Sequence, residues 1–218
     1  MSKKDINEIK ELSELSKTKW LKIRHKYSHF FLDQFCERMH RHYNFERRAK
    51  NLIEVKLFFE KIKINYWLSM GVLLGIIREN RFIKWDPDVE IDVFEEELIP
   101  NYGELKSYFI SRGFIVRGNR RRRGSKMDLY RYKEKITIRG LFLDKVKKNR
   151  KTNVFRYPVK FYKGYETLIF KNQLFNVPSP SKKYLVYVYG KDWEIPIKNE
   201  KKLRKLKRYQ KQKGVRIK

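Results

Sequence analysis

The sequence predicts an α+β domain, α/β in the wider sense: a mixed sheet flanked by helices, with a helical N-terminal extension and a basic C-terminal tail. Three observations predict it. Apolar residues recur at three- and four-residue steps from about residue 5 to 63, the spacing of a helix face. From about 64 to 145, short runs of strand and helix character alternate. Inside that zone Asp88, Glu90 and Asp92 interleave with Val89, Ile91 and Val93, a period of two that a strand resolves into one acidic and one apolar face.

Taken in order, Ile6, Ile9, Leu12 and Leu15, then Phe30, Phe31, Phe35 and Met39, mark helical segments of the extension. Leu52, Val55, Phe58, Phe59 and Ile62 mark a helix ending near Lys63. Residues 64–68 read as a strand, 72–78 as a short helix, 88–94 as a strand and 103–112 as a helix. Three further strands are expected at 114–117, 126–132 and 135–143. Beyond 145 come strand-like runs at 154–161 and 167–170, a Pro-bounded loop, and a helix at 182–189. The divisions that follow are a helical extension over 1–50, the main domain over 51–197 and a basic tail over 198–218, read as a frayed helix.

The chemistry concentrates in residues 66–93. Like charges on one strand face repel, and a hard divalent cation such as Mg²⁺ or Mn²⁺ relieves that repulsion while keeping positions open for phosphate. Upstream, Gly71 and Gly75 bracket a short apolar segment where backbone can approach a phosphate and a helix N-terminus can face it. Arg78 adds a forked cationic donor. The order strand, small-residue entry, short helix, basic loop, acidic strand reads as a metal-plus-phosphate site. Trp67 and Trp85 flank it, as frames for a base or sugar or as ordinary core.

Composition bounds the rest. A chain of 218 residues with 15% aromatics can bury a real core. Its single cysteine, Cys36, excludes an intramolecular disulfide framework and suits a reducing compartment. His25 and His29 fall four apart, but no spacing matches a four-ligand zinc site. With no apolar leader at its start and no membrane-length apolar run, the chain reads as cytoplasmic, or peripheral at the inner face of a membrane. The net charge of +29, crowded into Arg120–Arg123 and the tail, attracts polyanions: nucleic acid or an anionic membrane surface.

Residues Trp67, Leu68, Ser69, Gly71, Leu73, Leu74, Gly75 and Arg78, followed by Phe82, Ile83, Trp85, Asp86, Asp88 and Val89, resemble the signature W-L-S-G-G-T-L-L-G-x-x-R … F-I-P-W-D-x-D of the LicD family of phosphocholine and fukutin-related ribitol-phosphate transferases. Val177-Pro178, Tyr184-Leu185, Tyr189-Gly190 and Trp193 resemble the family's closing segment. The resemblance implies a nucleotidyltransferase-like fold and transfer of a phospho-substituted alcohol from a CDP-linked donor to a sugar hydroxyl of a surface glycan, free or lipid-linked. By the same resemblance Asp88 and Glu90, aided by Asp86 or Asp92, hold the metal; Ser69, Gly71, Gly75, Arg78 and Trp85 line the substrate site. A third carboxylate, Asp128 or Asp144, takes the acceptor's proton, although Arg139 also stands near the position where that acid is usual.

Three departures bear on activity: Met70 and Val72 stand where the family usually has Gly and Thr, and Glu90 replaces the usual Asp. Two other readings therefore accompany the transferase. One is a nucleotidyltransferase acting on nucleic acid; the other is a non-catalytic protein of this fold whose basic surface binds nucleic acid or membrane.

Overall fold

The computed structural model describes residues 44–196, apart from Trp85 and Pro87; the extension up to residue 43, Trp85 and the tail from residue 197 lie outside the described residues. A helix, α1 (Phe45–Lys61), opens the described chain, its N-cap Asn44 accepting a hydrogen bond from the Arg47 amide. Leu52, Val55, Phe58 and Phe59 bury one face in the core, and Arg48 and Ala49 are buried with them, so this helix crosses the boundary expected at residue 50.

Strand β1 (Tyr66–Leu68) leads directly into α2 (Met70–Glu79), which ends at Asn80 in the left-handed conformation that Asn tolerates as a cap. Strand β2 (Asp88–Phe94) has the predicted bounds. Helix α3 (Glu95–Ser111) follows it without a loop and starts eight residues before the expected position, running through Pro100. Glu95, Glu96 and Glu97 in its first turn complement the N-terminal end of the helix dipole, which outweighs the breaking signal of the proline.

Next come β3 (Ile115–Asn119), β4 (Lys126–Arg131) and β5 (Glu134–Asp144). The turn joining β4 to β5 consists of Tyr132 and Lys133, both at positive φ. The run expected as a strand over 154–161 is instead a three-residue strand, β7 (Arg156–Pro158), and one turn of 3₁₀ helix, Val159–Tyr162. Strand β6 (Asn149–Lys151) and the partner of β8 (Glu166–Phe170), β9 (Gln173–Val177), were not expected. The β8–β9 turn is Lys171-Asn172, again at positive φ, without the Asn-Gly pair that announces such a turn. Helix α4 (Ser181–Tyr189) closes the domain.

The strands of the main sheet lie in the order β1-β2-β5-β4-β3, with β2 and β5 parallel and the other pairs antiparallel. This mixed sheet with its four flanking helices is the α+β class. Registers align residues in rows across the sheet. Val89, Ile136 and Leu129 form one row and Ile91, Ile138 and Met127 another, all fully buried in the core. The opposite face carries Glu90, Thr137 and Asp128 in one row and Asp92, Arg139 and Lys126 in the next. The last three residues of β5 leave this arrangement to pair with β6.

Candidate active site

The acidic face of β2 lies beside Thr137 and Arg139 because β5 runs parallel to it in that register. Thr137 Oγ1 is 2.7 Å from Asp88 Oδ2 and 2.9 Å from Asp128 Oδ1, so one hydroxyl ties carboxylates on β2 and β4 together across β5. Asp128 is fully buried and paired with Lys126 Nζ at 2.9 Å, whereas Asp88 and Glu90 remain partly exposed.

Asp92, on the same strand face, has a different environment. It is fully buried, accepts from Arg139 Nε at 2.9 Å and lies 2.7 Å from Nη2, while the Tyr162 hydroxyl donates to its other oxygen at 2.8 Å. These partners hold Asp92 in the core and away from solvent. Arg139 Nη2 also donates to Ser69 Oγ at 2.9 Å, and its Nη1 comes within 3.9 Å of Glu90. Burial opposes the charge of Arg139, but Asp92, Tyr157 and Glu90 outweigh it and hold the guanidinium firmly protonated. Arg139 thus ties the Ser69 entry of α2 to the acidic strand.

Helix α2 enters this cluster through its first residues. The Gly71 amide donates to Glu90 Oε2 at 3.3 Å, and a β-carbon at residue 71 would overlap the Asp86 carboxylate. The lack of a side chain there lets the Asp86 carboxylate lie against the start of the helix. Gly75 serves another end: a β-carbon at that position would lie 2.5 Å from the Arg81 carbonyl, so this glycine packs α2 against the following loop instead of opening backbone to a phosphate. Met70 starts the helix at φ 52°, a conformation suited to the glycine usual at that place, and its buried side chain receives the Tyr157 hydroxyl at 3.3 Å from Sδ.

The charge of Asp88 raises the proton affinity of its neighbours Asp86 and Glu90. Burial and then the charge of Asp88 push the Asp86 carboxyl up to about 7, with Arg48 pulling the other way. Glu90 is held well above the usual carboxylate range by burial, then by Asp88, with Asp86 adding to it and Arg139 opposing it. Tyr189, at the end of α4, has its phenol raised by burial and then by Glu90 and Asp86, so the C-terminal segment reaches the acids of the central motif. The loop before β2 is anchored by Arg48, which donates to the Asp86 carbonyl at 2.9 Å and to Glu134 at 2.6 Å in a fully buried ion pair.

A family model described as LicD/FKTN/FKRP, nucleotidyltransferase domain, matches residues 63–181, more than half of the chain. The chain belongs to the LicD family. No curated protein sequence matches it. The matched span contains β1, α2 and the whole carboxylate face described above, and membership in the LicD family points to a transferase acting on glycans with a nucleotide-linked donor.

Not every residue singled out in the sequence reaches this place. Ser69, Gly71, Asp86, Asp88, Glu90 and Asp128 lie together with Thr137 and Arg139 between them. Arg78 stands at the far end of α2, bound to its neighbour Glu79 at 2.8 Å. Asp144 lies seven residues beyond Thr137 on β5, bound to Lys151, which holds its carboxyl below the ordinary value. Trp67 is core: it packs on Phe94 and Tyr162 and donates from Nε1 to the Gly164 carbonyl at 3.0 Å. Thr137 was missed, although Ile136-Thr137-Ile138-Arg139 repeats the alternation of β2 and carries its signal. Among the described residues no helix is long and apolar enough to cross a membrane.

Proposed function

We propose that this LicD-family chain transfers a phospho-substituted alcohol, of the phosphocholine or ribitol-phosphate type, from a CDP-linked donor to a sugar hydroxyl of a glycan. The single observation that carries the reading is the row Glu90–Thr137–Asp128 with Asp88 joined to it through the Thr137 hydroxyl, three carboxylates from two strands at the entry of α2. In the reaction the acceptor oxygen attacks the outer phosphorus of the donor, the bridging P–O bond breaks and CMP leaves. The proton of the hydroxyl passes to a carboxylate of this row.

Asp88 and Glu90, the partly exposed pair, would face the donor. Asp128 is enclosed, so it acts on Asp88 through Thr137 as a positioning residue. Asp144, with a depressed pKa and a lysine partner, is a poor proton acceptor.

The donor set fits Mg²⁺ or Mn²⁺. The oxygens are hard, and the charge of Asp88 raises the proton affinity of both Asp86 and Glu90, a repulsion that a cation beside them would relieve. Among the described residues no three acidic, histidine or cysteine side chains group tightly enough to hold an ion alone, and Mg²⁺ bound here would complete its shell with water and substrate phosphate. Asp88 and Glu90 would hold it, with Asp86 beside them, and when bound it would neutralise the donor's diphosphate.

The test is release of CMP from a panel of CDP-alcohols incubated with glycan acceptors and Mn²⁺. Acceptor-dependent CMP release by the wild type, absent from Asp88→Asn, is expected. Release that persists in Asp88→Asn, or none with any CDP-alcohol, contradicts the reading.

A further inference from the structure

A cavity lies away from the carboxylates, where the β3–β4 loop meets the β6–β7 turn. Its volume is about 360 Å³, within the range of small-ligand sites, and Arg123, Phe142, Lys151, Thr152, Asn153 and Arg156 line it. Phe142 lies five residues beyond Thr137 on β5, roughly 17 Å along an extended strand, and it has the opposite side-chain parity. The cavity is therefore distinct from the proposed donor site.

Its walls are fixed by hydrogen bonds. The Glu95 carboxylate accepts from the amides of Arg123 at 2.8 Å, Gly124 at 2.6 Å and Ser125 at 2.8 Å, and from Ser125 Oγ at 3.1 Å. That carboxylate fills the loop's own amide nest and locks Arg123 at φ 60°. Gly124 lies against Asn153 so closely that a β-carbon would overlap the amide side chain, which joins loop to turn. Across the cavity, Thr152 Oγ1 accepts from the Val154 and Phe155 amides at 3.2 and 2.8 Å, and its hydroxyl proton is left to donate.

The charges are unbalanced. Lys151 is paired with Asp144, but among the described residues no carboxylate engages the side chain of Arg123 or Arg156. Two guanidiniums, an ammonium and a hydroxyl on a rigid frame form an oxyanion receptor, since a guanidinium fork matches phosphate geometry in two hydrogen bonds. The cavity's volume suits a discrete phosphate group, and a vesicle-binding measurement separates this from a lipid surface met by the exposed run Arg120–Arg123.

We propose that this cavity binds the phosphate group of a small soluble phosphomonoester, with glucose 6-phosphate as the probe, at a site separate from the carboxylate row. The proposal goes beyond the transferase reading and does not depend on it, because binding is read without turnover.

The experiment is ³¹P NMR titration of glucose 6-phosphate with the full chain, comparing wild type, Arg123→Gln/Arg156→Gln, Asp88→Asn and a control, Lys182→Gln/Lys183→Gln, that removes two exposed charges of α4. Binding is expected to weaken about tenfold or more in the arginine double variant and to stay within about twofold in the other two. Should the double variant not fold, Arg156→Gln alone carries the same comparison with a smaller loss. Equal loss in the lysine control shows only a diffuse field, and loss in Asp88→Asn places the phosphate at the carboxylates. Capture by phosphatidylglycerol vesicles without any binding of glucose 6-phosphate assigns the patch to a membrane. Each of these three outcomes, or unchanged binding in the arginine variants, overturns the proposal.

Discussion

The two ends of β5 carry opposite chemistry. Near its start, Thr137 and Arg139 sit among Asp88, Glu90, Asp92 and Asp128, and the carboxyls there crowd one another. At its finish, Phe142 and Asp144 lie beside Lys151, with Arg123 and Arg156 across a cavity. Both ends contain an aspartate that sequence reasoning could make a third carboxylate, Asp128 or Asp144. What separates them is the partner strand. At the start β4 supplies Asp128 in register with Thr137; at the finish β6 supplies a lysine that consumes the acid's charge. Strand pairing, not residue type, decides which of the two acids joins the carboxylate face.

The strongest way to break this comparison is to exchange the roles of the two acids. Asp88→Asn and Asp128→Asn are each expected to reduce turnover by about a thousandfold, while Asp144→Asn leaves it within about twofold; steady-state CMP release measures all three. A large loss in Asp144→Asn would merge the two ends into one site.

The frame under the acidic end comes next in magnitude. Glu134→Gln leaves the Arg48 guanidinium buried without its carboxylate and is expected to cost about 3–5 kcal/mol, read by denaturant unfolding. The two glycines of α2 should then part company. Gly75→Ala forces a β-carbon against the Arg81 carbonyl and should cost about 1–3 kcal/mol in the same measurement. Gly71→Ala meets only the end of the Asp86 side chain, which can turn away, so it should lower activity more than it lowers the melting temperature.

The smallest effect is a pH dependence. Asp86 has a folded pKa near 7 against an ordinary value of 3.8, so its contribution to stability is greatest below about 3.8 and is lost as the pH rises through about 7. In metal-free protein Asp86→Asn should flatten the stability profile over that window, and Asp88→Asn should lower the pKa of both Asp86 and Glu90, because the Asp88 charge raises each. Unfolding free energy against pH checks the first, and carboxyl ¹³C shifts the second.

Much of this was legible in the chain. The bounds of β2 followed from its strict alternation, and the pattern of glycine and acids over residues 71–90 named side chains that the fold brings together. Other features were hidden for identifiable reasons. The early start of α3 was masked by Pro100, whose cost is offset by three acids in the first turn. The turns at Tyr132-Lys133 and Lys171-Asn172 lack glycine, so neither hairpin announced itself. Asp92 belongs by spacing with Asp88 and Glu90; only the register of β5 reveals that Arg139 and Tyr162 take it into the core. The choice between Asp128 and Asp144 likewise needed strand order, which alternation within one segment does not encode.

The most direct test of the central claim is Mn²⁺ binding in the presence of CDP, followed by water-proton relaxation on the wild type, Asp88→Asn and Asp144→Asn. The account predicts a CDP-dependent enhancement that is lost in Asp88→Asn and kept in Asp144→Asn. Enhancement undiminished in Asp88→Asn, or lost instead in Asp144→Asn, would contradict it.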